Sequence, residues 1–286
     1  MHPRRLMCIS DLDGTLLDSE GGVPGPVRQA VDLFRSRGGA FTVCTARGMY
    51  DARLALAGLG VDGLGAFYGG AVLGDLRTGA IVFERSLAHD IVGPLLSLLR
   101  LSGLRPQVVG RRGGTERALV ESPANDAETA FVSARLNDRR LQIEDGFTAG
   151  LDAVYLLSCL DASERIRSCT EKVASMCAER ARVQVTVASE AKGYLCLQIL
   201  PSKCDKGTAT RSLASSLQGT GRYIASFGDT ASDIPMFAAS DWSVAVANAS
   251  REVRDAAAEV VPSNDEGGVG YKLAQLADAA LASWSP

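Results

Sequence analysis

Four short polar segments stand out, because three of them directly follow runs that read as buried strands. Asp11-Leu12-Asp13-Gly14-Thr15 follows Leu6-Met7-Cys8-Ile9-Ser10, and Thr45-Ala46-Arg47 follows Ala40-Phe41-Thr42-Val43-Cys44. Gly228-Asp229-Thr230-Ala231-Ser232-Asp233 follows Tyr223 to Phe227, and Lys206-Gly207 stands in a loop just before a helical stretch. In an open α/β sheet, ligands bind beyond the carboxyl ends of the strands. Asp11, Asp13, Thr45, Asp229 and Asp233 are therefore expected to converge, with Lys206 in reach. Several carboxylates in one crevice raise each other's pKa and need a cation. Oxygen ligands from separate loops, with no Cys or His beside them, suit Mg2+, which prefers one or two carboxylates plus water and phosphate oxygens. Lys206 and the Thr45 hydroxyl would then hold the other oxygens of a phosphoryl group, and the available nucleophile is a carboxylate. The donor set points to Mg2+-dependent phosphoryl transfer.

Each piece alone is modest evidence. Asp-x-Asp after a strand is often a turn, a lone Thr is often a helix cap, and a Lys-Gly pair is usually surface. Their ordered placement at strand ends carries the argument. Other patterns fail. Gly58-Leu59-Gly60-Val61-Asp62-Gly63 fits a bare G-x-G-x-x-G but follows a helix rather than a strand. Asp11-x-Asp13-Gly14 is no EF-hand, because its twelfth position is Gly22 instead of Glu. Asn248-Ala249-Ser250 is a formal glycosylation sequon. Seven cysteines occur without a Cys-x-x-Cys, and the two histidines are His2 and His89. Zinc sites and Ser-His-Asp triads are thereby disfavoured, and the thiols read as small buried hydrophobes.

The elements that must position these groups fall into two patterns. From the N-terminus, strand, helix (Pro24 to Arg37), strand, helix (Met49 to Ala57) and a third strand at Ala66-Phe67-Tyr68 predict a parallel sheet with crossovers. The middle reads as helices with hairpins. Helices are expected at His89–Leu101, Asn125–Asp138 and Ala162–Arg180 and a strand at Ala153–Ser158. Two hairpins are expected, Pro106–Gly110 with Arg117–Glu121, and Val183–Ala188 with Tyr194–Leu200 turning near Glu190 to Gly193. After Pro201 the first rhythm returns, with a helix at Thr208–Leu217, strands at Tyr223–Phe227, Trp242–Val246 and Glu259–Val261, and a closing helix from Tyr271. The fold class is thus α/β, a Rossmann-like parallel-sheet core formed by residues 1–84 and 202–286, interrupted by an α+β domain at 85–201.

Composition agrees with a globular chain. Of 286 residues, 46% are hydrophobic and 22% charged, with a net charge of -3. No clustered basic stripe exists to track a nucleic-acid backbone. No apolar stretch approaches the roughly eighteen residues of a membrane span, and Leu6 to Ile9 is too short for a signal-peptide core after the basic Met1-His2-Pro3-Arg4-Arg5. The expected setting is cytoplasmic, with a small phosphorylated metabolite as partner and neither nucleic acid nor membrane. The sequence does not specify an oligomeric state.

The segment Asp11-Leu12-Asp13-Gly14-Thr15-Leu16-Leu17 resembles the first motif of haloacid dehalogenase-like phosphatases. Thr45-Ala46-Arg47 resembles their second motif, Lys206-Gly207 their third and Gly228–Asp233 their fourth. Asn248-Ala249 and Ser263-Asn264-Asp265-Glu266-Gly267-Gly268-Val269 resemble the Cof-type branch, and the large insert is similar to that branch's C2B cap. The resemblance implies Asp11 as the nucleophile that forms an aspartyl-phosphate, and Asp13 as the acid that protonates the leaving oxygen and then the base that activates water. It implies Mg2+ bound by Asp11, the backbone carbonyl of Asp13 and Asp229, with Asp233 steadying Lys206 or the metal shell. It further implies that Thr45, Ala46, Lys206 and Ser232 surround the phosphoryl group, and that the cap closes over the crevice and carries specificity.

Two departures from the family pattern are visible. Ser232 stands where Asn is usual before the second Asp of the fourth motif, and Gly69-Gly70-Ala71 replaces Asn-Gly-Ala. The leading expectation is a Mg2+-dependent phosphatase acting on a small phosphorylated metabolite, sugar phosphates among the candidates. The alternatives are a phosphomutase of the same superfamily and a non-catalytic metabolite-binding protein. Asp11, Asp13, Lys206 and Asp229 argue against the latter, and Ser232 argues for it.

Overall fold

The computed structural model describes residues 6–61, 63–148, 150–188, 192–216 and 223–282. From the N-terminus come β1 (Leu6–Ser10), α1 (Gly25–Ser36), β2 (Ala40–Val43), α2 (Met49–Ala55), β3 (Leu64–Phe67), β4 (Val72–Asp75) and β5 (Ile81–Glu84). The middle contains α3 (His89–Leu101), β6 (Gln107–Arg112), β7 (Thr115–Val120), α4 (Asp126–Ser133), β8 (Leu141–Ile143), β9 (Ala153–Ala162), α5 (Ser163–Cys177), β10 (Ala181–Val187) and β11 (Tyr194–Pro201). The last third contains α6 (Lys206–Ser216), β12 (Tyr223–Gly228), α7 (Ile234–Ala238), β13 (Trp242–Val246), α8 (Arg251–Ala256), β14 (Glu259–Val261) and α9 (Gly268–Ala282).

These elements form two compact units, one from the described residues up to Glu84 and from Cys204 on, the other Arg85–Lys203. The second boundary falls two residues beyond the 85–201 span expected for the insert.

The discontinuous unit holds a parallel sheet in the order β14-β13-β12-β1-β2. Every residue of central β1 is buried, as expected for a strand covered on both faces. Helix α1 buries Val27, Ala30, Val31 and Phe34, one apolar stripe at helical spacing. Pro26 occupies its first turn, and Gly38 at φ +87° stops it. The strand expected at Ala66–Tyr68 is not a full member of this sheet. It is β3, which touches the chain beyond β2 through a single parallel bridge, Cys44 to Ala66, and builds a separate antiparallel sheet with β4 and β5. The turn that makes this possible is Tyr68-Gly69-Gly70, where all three residues have positive φ.

The contiguous unit is a six-stranded sheet, β10-β11-β9-β6-β7-β8, antiparallel except for β7 with β8. Its core joins α3 and α5 to one sheet face through Leu95, Leu99, Ile166 and Val173 against Val108, Leu157 and Leu197. The turn of the β10–β11 hairpin expected at Glu190–Gly193 lies partly outside the described residues, as do residues 1–5. No described helix is long and apolar enough to cross a membrane.

Candidate active site

After β1 the chain enters one wide helical turn, Leu12–Leu16, closed by the Leu17 N–H donating to the Leu12 carbonyl at 2.9 Å. Asp11 sits at the sheet end of that turn and is 6% exposed. Its Oδ2 lies 2.8 Å from Lys206 Nζ, and the same ammonium is 2.6 Å from Asp233 Oδ1. Lys206 is 3% exposed and Asp233 fully buried. The second Asp233 oxygen accepts from the backbone N–H groups of Asp229 (3.1 Å) and Thr230 (2.9 Å) and from the Thr230 hydroxyl (3.1 Å). Burial pushes the Asp11 carboxyl up to about 7, with Lys206 pulling it down and Asp233 adding to the rise. Burial alone would lower the Lys206 ammonium, but Asp11 and Asp233 hold it charged, above the ordinary lysine value.

Asp229, at the end of β12, accepts a 2.7 Å hydrogen bond from Thr15 Oγ1. Its carboxyl is also raised, by burial first and by Asp233. One oxygen from each of Asp11, Asp229 and Asp233 lies within 4.8 Å of the others. Gly14 makes room for this approach: at φ +71°, a Cβ there would stand 2.4 Å from Asp229 Oδ2. Three carboxylates against one ammonium leave two negative charges uncompensated when all are ionised. A small divalent cation with a taste for oxygen fits that deficit and donor set. Both Asp233 oxygens are already engaged, so this residue orients Lys206 and the Asp229 backbone, whereas Asp11 and Asp229 are better placed to take a cation.

The remaining predicted residues are distributed around this cluster. Asp13 is exposed and its carboxylate is held by Arg47, from Nε at 2.7 Å and Nη2 at 2.5 Å. Thr45 is buried; its hydroxyl accepts from the Arg47 N–H at 3.1 Å, and its backbone links to Ala66 and Gly69. Ala46 is exposed beside it. Ser232 is exposed and its hydroxyl lies 2.9 Å from that of Thr230, so its printed polar partner is within its own loop.

Comparison with known proteins shows the family of the chain. The haloacid dehalogenase-like hydrolase family matches residues 8–273. The chain belongs to this family. Among relatives of this hydrolase, the Bacillus subtilis 5-amino-6-(5-phospho-D-ribitylamino)uracil phosphatase YwtE is 25% identical over 293 aligned positions, covering 95% of this chain and 98% of its own. A haloacid dehalogenase-like hydrolase from Bacteroides thetaiotaomicron shares the fold at TM-score 0.79 and 19% identity, covering 94% of this chain and 98% of its own. The sugar phosphatase BT4131 of subclass IIB does so at TM-score 0.72 and 16% identity, over 94% and 98%.

Arg47, Asn248 and Asn264 stand in motifs that the sequence shows, but their contacts are not visible there. The partner of Arg47, Asp13, lies 34 positions away. Asn248 and Asn264 reach the Asp13 turn across 234 and 247 positions. No local pattern announces such pairings, although both asparagines stand in segments that follow strands, where ligand-binding loops are expected.

Proposed function

We propose that this hydrolase is a Mg2+-dependent phosphatase that cleaves a small phosphorylated metabolite through an aspartyl-phosphate. The observation that carries the reading is the buried Asp11–Lys206–Asp233 set beside Asp229, four charged groups converging from three separate segments onto strand ends. Phosphatase relatives such as YwtE, whose name places a phosphorylated small molecule in its site, support the substrate class.

Asp11 attacks phosphorus through a carboxylate oxygen while the ester P–O bond breaks, and the Asp13 carboxyl gives its proton to the departing oxygen. Asp13, now a carboxylate, takes a proton from water as that water attacks the acyl phosphate. Inorganic phosphate leaves and both aspartates return to their starting states. Lys206 and Thr45 hold phosphoryl oxygens, and Asp233 keeps the Lys206 ammonium charged and aimed. Asp11, Asp229 and the backbone carbonyl of Asp13 would hold Mg2+, which would supply the charge neutralisation that lets an anionic nucleophile approach an anionic ester.

Phosphate release from a panel of phosphomonoesters tests the reading, with Asp11→Asn as the decisive variant. The expected result is Mg2+-dependent release that falls to background in Asp11→Asn while the fold is kept. Release by Asp11→Asn at near wild-type rate would overturn it.

A further inference from the structure

The turn that carries Asp13 is held from outside by two asparagines acting as one unit. Asn248, exposed after β13, donates from Nδ2 to the Gly14 carbonyl at 2.7 Å. Its Oδ1 accepts from the Asn264 N–H at 3.0 Å, and Asn264 Nδ2 in turn donates to the Leu17 carbonyl at 2.9 Å. Asn264 is 7% exposed, so the second half of the clamp is fixed by its surroundings. One residue further, the Asp265 carboxylate accepts from the Ser19 N–H at 2.7 Å and the Ser19 hydroxyl at 2.6 Å. The segment from Gly14 to Ser19 is therefore held at three carbonyl or amide positions by loops that follow β13 and β14.

Position 248 must donate and accept at once across the span of an amide. A carboxylate has no donor, and a hydroxyl on one carbon does not reach both partners. The held carbonyl belongs to Gly14, whose φ of +71° follows Asp13 directly and where a Cβ would meet Asp229 Oδ2 at 2.4 Å. That carbonyl lies in the Gly14–Thr15 peptide plane, one Cα beyond Asp13, and Thr15 is itself tied to Asp229 by its hydroxyl at 2.7 Å, so a rotation of this plane is taken up at the Gly14 φ and ψ and carried back to Asp13. We propose that Asn248, backed by Asn264, is a positioning residue for Asp13: it fixes the Gly14 carbonyl and thereby sets where the Asp13 carboxyl meets the leaving-group oxygen. The proposal rests on the reading of Asp13 as proton donor.

Steady-state kinetics on an aryl ester, p-nitrophenyl phosphate, and an alkyl ester, glycerol 2-phosphate, test it with Asn248→Asp and Asn248→Ala. Asp keeps the size but sets a carboxylate against the Gly14 carbonyl, whereas Ala leaves a carbonyl that water can satisfy. Because aryl leaving groups depend less on a proton donor, the expected kcat loss for Asn248→Asp is about tenfold on the alkyl ester and about threefold on the aryl one, with KM moving less than about twofold. Asn248→Ala should lose less than Asn248→Asp on the alkyl ester. Added to Asp13→Asn, the Asn248→Asp change should cost nothing further, since it acts through the group already removed. Equal loss on both esters, a loss confined to KM, or a loss that multiplies with that of Asp13→Asn would each overturn the proposal. If Asp13→Asn itself proves indifferent to the leaving group while Asn248→Asp still adds nothing to it, the link between the two residues stands and the proton-donor reading falls.

Discussion

The Arg47 guanidinium meets the Asp13 carboxylate edge to edge, Nε to Oδ2 and Nη2 to Oδ1, at 2.7 and 2.5 Å. Both side chains are partly in solvent, 30% and 59% exposed, so the pair adds only about 0–1 kcal/mol to stability. Its consequence is geometric, because a planar fork fixes a carboxylate in a way a point charge does not. Arg47→Lys should lower kcat roughly tenfold, and Arg47→Ala should lower it further. Thermal midpoints of both should stay within about 4 °C of wild type. Unchanged kcat in Arg47→Ala would show that the placement of the Asp13 carboxylate by the fork does not matter to turnover.

Asp233 accepts four hydrogen bonds with no exposure to solvent. Asparagine at this position would turn an amide NH2 toward Lys206 or toward the Asp229–Thr230 amides, leaving donors face to face. The cost is about 2–5 kcal/mol. Asp233→Asn should show a clearly lowered unfolding midpoint together with background activity. A variant as stable as wild type would mean that the loop rearranges without penalty.

Gly14→Ala tests the approach of the turn to Asp229. Positive φ costs a non-glycine residue about 1–3 kcal/mol, and the added methyl would collide with Asp229 Oδ2. The Mg2+ concentration for half-maximal phosphate release should rise about tenfold, equivalent to about 1.4 kcal/mol of lost ligand placement. An unshifted Mg2+ titration would place the cation away from Asp229.

Glu128 offers a test by pH in the contiguous unit. It is 4% exposed; Oε2 accepts from the Ala124 N–H at 2.7 Å, and Oε1 has no hydrogen-bond partner. Burial raises its carboxyl, and Asp161 adds to the rise. The folded chain therefore holds this proton more tightly than the unfolded one. The resulting stability is present below the ordinary glutamate value of about 4.3 and is lost as pH climbs through the raised folded value. Glu128→Gln removes the ionisation, so its unfolding midpoint relative to wild type should improve from pH 4 to pH 7. A difference that stays constant with pH would remove Glu128 as the cause.

Much of this arrangement is legible in the sequence where a single physical signal dominates. The bounds of β1, β13, β14 and α3 follow from apolar runs ended by polar or turn residues. Helix α4 stops at Ser133, short of the Asp138 its periodicity suggests, and β9 continues to Ala162 because its neighbour β11 supplies partners that far. Strands β4 and β5 are four residues each, too short to show a period, and β3 is diverted by a glycine turn whose tertiary setting no local pattern reveals. At the site, residue types and strand ends suffice to bring Asp11, Lys206, Asp229 and Asp233 together. The groups that hold Asp13 and its turn are different in kind: Arg47 on the Asp13 carboxylate and Asn248 on the Gly14 carbonyl act through hydrogen bonds across the fold, which leave no periodicity to read.

The pairing of Leu6 with Tyr223 sets a schedule for biosynthesis. A ribosome emits roughly 5–20 residues per second, so β1 leaves the tunnel about 10–40 s before its neighbour β12 exists. Residues 85–203 emerge as one block in the interval and pair largely with near neighbours in sequence, the topology that closes fastest. The nascent β1, wholly apolar but for Ser10, is meanwhile a sticky segment and a natural client for a chaperone. Asp11 likewise does not have both Lys206 and Asp229 beside it until about four-fifths of the polypeptide has been made, so a stalled or truncated chain carries this carboxylate without the charges that surround it.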